Sequence, residues 1–238
     1  MLNINIVNAF EDNYIFMLTC DVTGEVAVVD PGDAAIVMDF LGDQKLAKIF
    51  ITHHHHDHIG GVEKLVEKYG CDVIAFKGDQ NRIPCITATV GEGDKVQVGH
   101  AQASVMSIPG HTTGHIGYYF ADEKALFCGD TLFVAGCGRL FEGTADIMFN
   151  SMVKLNLLPD DTAVYCAHEY TLANLNFATH VAPDDIKIKE SLKLASKKRQ
   201  ARKATVPSTI GVEKEHNVFL KAKTVQEFAR FRQLKDNF

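Results

Sequence analysis

Short apolar runs separated by turns recur through the first part of the chain, at Tyr14 to Leu18, Val26 to Val29, Lys48 to Ile51, Val73 to Phe76, Ser104 to Ile108, Ile116 to Phe120, Ala125 to Cys128 and Ala163 to Cys166. Runs of that length, closed by turns, predict strands. Apolar residues at helical spacing lie between some of them, at Ala34 to Leu41, Val62 to Tyr69 and Asp146 to Leu155, so the expected class is mixed, with sheets covered by helices. The amino terminus, Met1 to Asn8, alternates apolar and polar positions as a strand does. It has no basic leader and no long apolar run after it, which points to a cytoplasmic protein without a membrane span.

After His168 the pattern changes. From Pro183 the chain reads as helix, with Asp184 and Asp185 at its start and the basic cluster Lys197 to Lys203 near its end, matching the helix dipole, and with Pro207 as its stop. A final helical pattern runs from about Val225 to Leu234. The expected organisation is a sheet-rich catalytic domain over 1–168 and a small helical domain over 169–238. The lysine cluster itself reads as a solvated helix face.

Chemistry is concentrated at strand ends. Directly after Lys48 to Ile51 comes Thr52-His53-His54-His55-His56-Asp57-His58, closed by Gly60-Gly61. Side chains two apart on extended backbone share a face, so His53, His55 and Asp57 converge while His58 turns toward a second point, a spacing that suits two metal ions. The tract is internal and follows an apolar strand, which argues against an expression tag. Imidazole nitrogen mixed with carboxylate oxygen selects divalent transition metals; zinc is the first expectation, and iron or manganese suits the same donors.

Other segments supply further ligands. In Pro109-Gly110-His111-Thr112-Thr113-Gly114-His115 the better ligand is His111, with His115 placed to orient it. In Cys128-Gly129-Asp130-Thr131 a carboxylate ends an apolar strand, where burial of an unpaired charge is costly, and bridging two ions would offset that cost. His168, after Ala163 to Cys166, offers the missing ligand for the second ion. Asp30, in Val29-Asp30-Pro31-Gly32, either braces the histidine loop or only forms a turn. The count gives His53, His55 and His111 for one ion, and Asp57, His58 and His168 for the other, with Asp130 shared. Both ions keep open positions, as catalytic sites do, and two adjacent cations favour a bridging hydroxide at neutral pH.

Composition sets limits on partners. The 238 residues are 46% hydrophobic, and the formal net charge of -6 gives no reason to expect a nucleic-acid or membrane surface. Six cysteines without any C-x-x-C pair argue against a zinc ribbon, a dithiol redox motif or a disulfide framework. They read as reduced, mostly buried thiols, Cys137 between two glycines included.

Taken together, the H-x-H-x-D-H tract, the Pro-Gly-His-Thr-x-Gly-His loop, the Gly-Asp-Thr-Leu-Phe strand end and a later histidine resemble the metallo-β-lactamase superfamily. More narrowly, Phe133-Val134-Ala135-Gly136-Cys137-Gly138-Arg139, Phe141-Glu142-Gly143-Thr144-Ala145, Ala167-His168-Glu169-Tyr170-Thr171 and the closing Arg232-Gln233-Leu234-Lys235 resemble the glyoxalase II family, across nearly the whole chain. The resemblance implies an αββα sandwich with a binuclear site at one edge and a helical carboxy-terminal domain that helps bind glutathione. It implies hydrolysis of S-D-lactoylglutathione to D-lactate and glutathione, the second step of methylglyoxal detoxification; a monomer is expected. Arg139, Tyr170, Arg232 and Lys235 would contact the glutathione part. Phe141 departs from the tyrosine of some family members, so a hydroxyl contact there is expected to be missing or replaced.

On this reading His53, His55, Asp57, His111 and Asp130 carry the chemistry through the metals, and the departing thiolate, whose conjugate acid has a pKa of roughly 8.5, needs little help from a general acid. An iron-dependent persulfide dioxygenase shares the fold and the thiol, but it would use one iron, against the full second ligand set. A nuclease would want a basic groove, and a closed, non-catalytic metal site does not fit the open coordination.

Overall fold

The computed structural model describes residues 1–238, which form two compact units: Met1–Ser107 with Gly114–Gly129, and Ile108–Thr113 with Asp130–Phe238.

The first unit begins with β1 (Leu2–Ala9), β2 (Asn13–Cys20) and β3 (Val26–Val29), continues through α1 (Ala34–Leu41), β4 (Lys48–Phe50), α2 (His56–Ile59), α3 (Val62–Tyr69) and β5 (Asp72–Phe76), and then β6 (Ala88–Val90). These six strands make one sheet in sequence order. The first two pairings are antiparallel and the next three, from β3 to β6, are parallel. Parallel neighbours need a crossover, which α1 supplies between β3 and β4 and α3 between β4 and β5. The Asp33 side chain caps α1 by accepting from Ala35 N at 2.8 Å, and Gly70, in the left-handed region at φ 62°, ends α3.

Both helices pack on one face of the sheet, where Val37, Leu41, Val62 and Leu65 meet Ile15, Met17, Val28, Ile49 and Val73. The other face receives a second, antiparallel set of strands, β7 (Lys95–Val98), β8 (Ala101–Ser107), β9 (Ile116–Phe120) and β10 (Ala125–Gly129). Aromatic rings fill the gap between the sheets: Phe16 lies 5.3 Å from Phe127 and Phe50 lies 5.1 Å from Tyr118. Sheets buried on both faces explain why β2, β3 and β10 read as continuous apolar runs rather than alternating ones.

The second unit holds β11 (Leu132–Phe133), β12 (Gly136–Cys137), α4 (Ala145–Asn156), β13 (Ala163–Cys166), α5 (Thr171–Val181), α6 (Ile186–Gln200), β14 (Ser208–Thr209), α7 (Ile210–His216), α8 (Val218–Lys221) and α9 (Val225–Asp236). β11 and β12 form a tight hairpin, and β13 pairs antiparallel with β14. Its core is aromatic, with Phe219 at 5.9 Å from Phe177 and 5.6 Å from Phe228.

Most expected elements are present, and two differ. The expected long helix ends at Gln200, seven residues before Pro207, because Arg202 turns left-handed at φ 54° and Arg199 Nη1 donates to Lys203 O at 3.0 Å. Its start is set by Asp185, which caps Lys187 N and Ile188 N. Secondly, Asp57 does not continue the extended alternation of His53 and His55. The backbone turns helical at His56, so Asp57 occupies the first turn of α2. The compact units divide at Gly129/Asp130 and around the 108–113 segment. No helix is long and apolar enough to cross a membrane.

Fully buried Tyr118 ties the first unit together across its two sheets, its hydroxyl lying 2.8 Å from Ile51 O and 3.1 Å from Ile74 O. Tyr118→Phe leaves those carbonyls without that donor and is expected to cost about 1 to 2 kcal/mol, read as a lower urea midpoint with an unchanged slope. An unchanged midpoint would show that the hydroxyl contributes nothing net.

Candidate metal centre

The carboxyl ends of adjacent parallel strands are where α/β folds place functional groups. Here Asp30 directly follows β3, and Thr52 and the histidine tract follow β4. Asp30 is buried with φ 50°, a costly conformation for a residue with a side chain. Its carboxylate accepts Thr52 N at 2.8 Å, the Thr52 hydroxyl at 2.7 Å and His58 Nδ1 at 3.0 Å. Asp30 therefore braces the histidine loop rather than only forming a turn.

Those contacts set the imidazoles. Since Asp30 takes the Nδ1 proton of His58, Nε2 is left with its lone pair. Thr52 Oγ1, already donating to Asp30, accepts from His53 Nδ1 at 3.1 Å, which leaves Nε2 of His53 in the same state. That nitrogen lies 3.0 Å from His55 Nδ1, and Asp57 Oδ2 lies 3.5 Å from His58 Nε2. The unpredicted Asn13 donates to Asp57 Oδ2 at 2.9 Å and fixes the carboxylate's direction. His115 stacks on His53 at 4.7 Å, beneath Gly129, where a Cβ would strike the Thr52 hydroxyl and the His115 ring. Of the other tract members, His54 lies toward Arg82 at 3.4 Å and His56 is exposed.

The second unit brings His111, Asp130 and His168 together. All are buried, with one Asp130 oxygen 3.4 Å from His111 Nε2 and the other 3.4 Å from His168 Nε2. His111 Nδ1 donates to Arg139 O at 2.8 Å, so its Nε2 again carries the lone pair. Gly138 permits this approach, because a Cβ there would collide with Asp130 O. Each set thus presents nitrogen and oxygen donors, and the rings of His53, His58 and His111 have their tautomers fixed from behind, which is how transition-metal ligands are held. The donor chemistry fits divalent metal.

Tyr170 stacks on His168 at 4.8 Å and nearly parallel. The Arg139 side chain is 60% exposed, with Nε 3.6 Å from Asp236. Arg232, by contrast, is only 5% exposed: Nη1 donates to Cys137 O at 2.9 Å, and Nη2 and Nε donate to Asp236 at 2.8 and 3.1 Å. Lys235 donates to Ala173 O at 3.2 Å, and burial followed by the neighbouring Arg232 charge lowers its pKa. Phe141 is exposed and meets the His111 ring edge-on at 5.2 Å.

Comparison with known proteins places this arrangement. A metallo-beta-lactamase superfamily model matches residues 12–84 and 86–168, and one for the hydroxyacylglutathione hydrolase C-terminus matches 169–238. The chain is 43% identical to a hydroxyacylglutathione hydrolase of Pelagibacter ubique over 100% of both chains. It is 44% identical to that of Rhodospirillum rubrum over 100% of this chain and 99% of the relative. The crystal structure of ETHE1 from Myxococcus xanthus superposes with a TM-score of 0.73 at 26% identity, covering 98% of this chain and 90% of that one. The chain belongs to the metallo-β-lactamase superfamily and, within it, to the hydroxyacylglutathione hydrolase family. Its fold is the expected one, mixed sheets and helices followed by a helical carboxy-terminal region.

All six cysteines are free. Burial pushes the Cys137 thiol up to about 11, against the pull of Arg232, and Cys166 up to about 12, so both are neutral near pH 7. Cys85 is exposed, whereas Cys20, Cys71, Cys128, Cys137 and Cys166 are buried. Ellman's reagent is expected to titrate Cys85 rapidly and the rest only on unfolding; fast labelling of Cys137, located by mass spectrometry, would contradict its burial.

Proposed function

We propose that this chain hydrolyses S-2-hydroxyacylglutathione thioesters, S-D-lactoylglutathione above all, releasing D-lactate and glutathione in the second step of methylglyoxal detoxification. The observation that carries the substrate assignment is the match over 169–238 to the hydroxyacylglutathione hydrolase C-terminus, a region that metal chemistry alone does not require. Relatives carrying that name align along the whole chain and support the same reading.

On this proposal the two donor sets serve one binuclear centre. His53, His55 and His111 hold one ion, Asp57, His58 and His168 hold the other, and Asp130 is shared. Zinc is the preferred metal, with iron or manganese compatible with the same donors. Divalent ions bound there supply Lewis acidity toward the thioester carbonyl and lower the pKa of water toward neutrality.

The chain's own groups do the rest. Asp30, Thr52 and Arg139 O hold the ring protons on Nδ1 of His58, His53 and His111, keeping each Nε2 basic. Asn13, donating to Asp57 Oδ2, holds that carboxylate in its direction. Arg139, Tyr170 and Lys235 contact the glutathione part, the two cations answering its carboxylates. Arg232, committed to Cys137 O and Asp236, acts on substrate through the loop that carries Arg139. The functional division falls at 168/169, with metal ligands before it and glutathione contacts on both sides. The protein works as a cytoplasmic monomer.

Steady-state kinetics on S-D-lactoylglutathione with metal-loaded protein test the reading. Asp130→Asn is expected to lower kcat roughly a hundredfold or more, and Arg139→Ala to raise KM roughly tenfold with kcat little changed. No turnover by the wild-type protein would sink the substrate assignment and leave the fold intact.

A further inference from the structure

Beneath the β11–β12 hairpin lies a buried carboxylate that the reaction does not use. Glu213, on α7, has no exposed surface. Its Oε2 accepts Ala135 N at 2.8 Å and Asn217 Nδ2 at 3.0 Å, and its Oε1 accepts His216 Nε2 at 3.0 Å and the Ser208 hydroxyl in a short contact. His216 Nδ1 in turn lies 2.8 Å from Ser191 Oγ.

Serine, histidine and carboxylate in that order invite comparison with a hydrolytic triad, but the surroundings argue otherwise. Ser191 sits inside α6, Ile186–Gln200, where backbone N–H groups are spent on helix hydrogen bonds and offer no oxyanion donors. The carboxylate's other oxygen shows where the network leads. It holds the amide of Ala135, a residue in the left-handed region at φ 56° between β11 and β12. Asn217 Nδ2 adds Phe133 O at 3.2 Å and Gly136 O at 2.9 Å, and Asn174 Nδ2 holds Val134 O at 3.0 Å.

The hairpin matters because of its flanks. Asp130 lies just before Leu132 and Arg139 just after Cys137, and Gly138 N donates to Thr131 O at 3.2 Å, closing the two flanks together. Arg139 O is also the acceptor that sets the His111 ring. A tilt of this hairpin therefore moves a carboxylate ligand, a histidine ligand's acceptor and a substrate cation at once.

We infer that Glu213 is a positioning residue: by clamping Ala135 it fixes the hairpin that aligns Asp130, His111 and Arg139. The inference deepens the function proposed above and rests on it for the kinetic readout, but not for the metal readout. Glu213→Asp keeps the carboxylate but draws it back by about 1.5 Å, a one-carbon shortening, from Ala135 and from its other donors. Glu213→Gln can still accept from Ala135 and Asn217 with its carbonyl, while its amide faces Ser208 and a re-tautomerised His216.

The experiment measures metal affinity by chelator competition, together with kcat and KM, for holoenzyme carrying each change, with circular dichroism as the check on folding. Glu213→Asp is expected to fold, to weaken metal about tenfold and to lower kcat about tenfold, with a rise in KM through Arg139, and Glu213→Gln to restore most of each. Wild-type metal affinity and kcat in folded Glu213→Asp would overturn the inference, as would losses that merely follow the unfolded fraction. A wild-type protein that binds metal but leaves the thioester intact would refute the substrate and still let the affinity ratio judge Glu213.

Discussion

The site depends first on a carboxylate that touches no substrate. Asp30 emerges from β3 in a strained left-handed conformation, and the strain is sustained because its two oxygens are taken by Thr52 N, the Thr52 hydroxyl and His58 Nδ1. A buried charge of this kind is tolerated only when its donors are fixed, and fixing those donors fixes the histidine loop at the end of β4. The parallel pairing of β3 with β4 sets the register that brings Asp30 and Thr52 side by side. Sheet order thus becomes imidazole orientation through three hydrogen bonds.

The second donor set follows the same logic with different parts. Arg139 O stands to His111 as Asp30 stands to His58, taking the Nδ1 proton and leaving Nε2 for a ligand bond. Asp130 faces His111 with one oxygen and His168 with the other, as a shared carboxylate would. The carboxy-terminal helices contribute through backbone: Arg232 of α9 grips Cys137 O, and Glu213 and Asn217 grip the preceding turn. The helical region thus fixes the hairpin whose flanks carry Asp130 and Arg139.

Much of this was legible in the sequence because ligand chemistry is local. Four of the seven proposed ligands lie within His53 to His58, and the others follow predicted strands. α1, α3, β3, β9 and β13 fall where periodicity put them. What stayed hidden was long-range or short. Asn13 reaches Asp57 across 44 residues and Glu213 reaches Ala135 across 78, separations that leave no trace in spacing. The hairpin strands of two residues each are too short for a period, and α5 buries Thr171 and Asn174 on a face that does not read as apolar. The turn into α2 at His56 was also missed, since a tract of histidines carries neither helical nor strand signal.

The central claim, that His53, His55, Asp57 and His58 act with His111, Asp130 and His168 on a shared pair of ions, is tested most directly by native mass spectrometry of the chain titrated with zinc. Two ions per folded chain, falling to one on His168→Ala, is the result this account requires. One ion in the unaltered protein, or two that survive the loss of His168 with undiminished affinity, would contradict it.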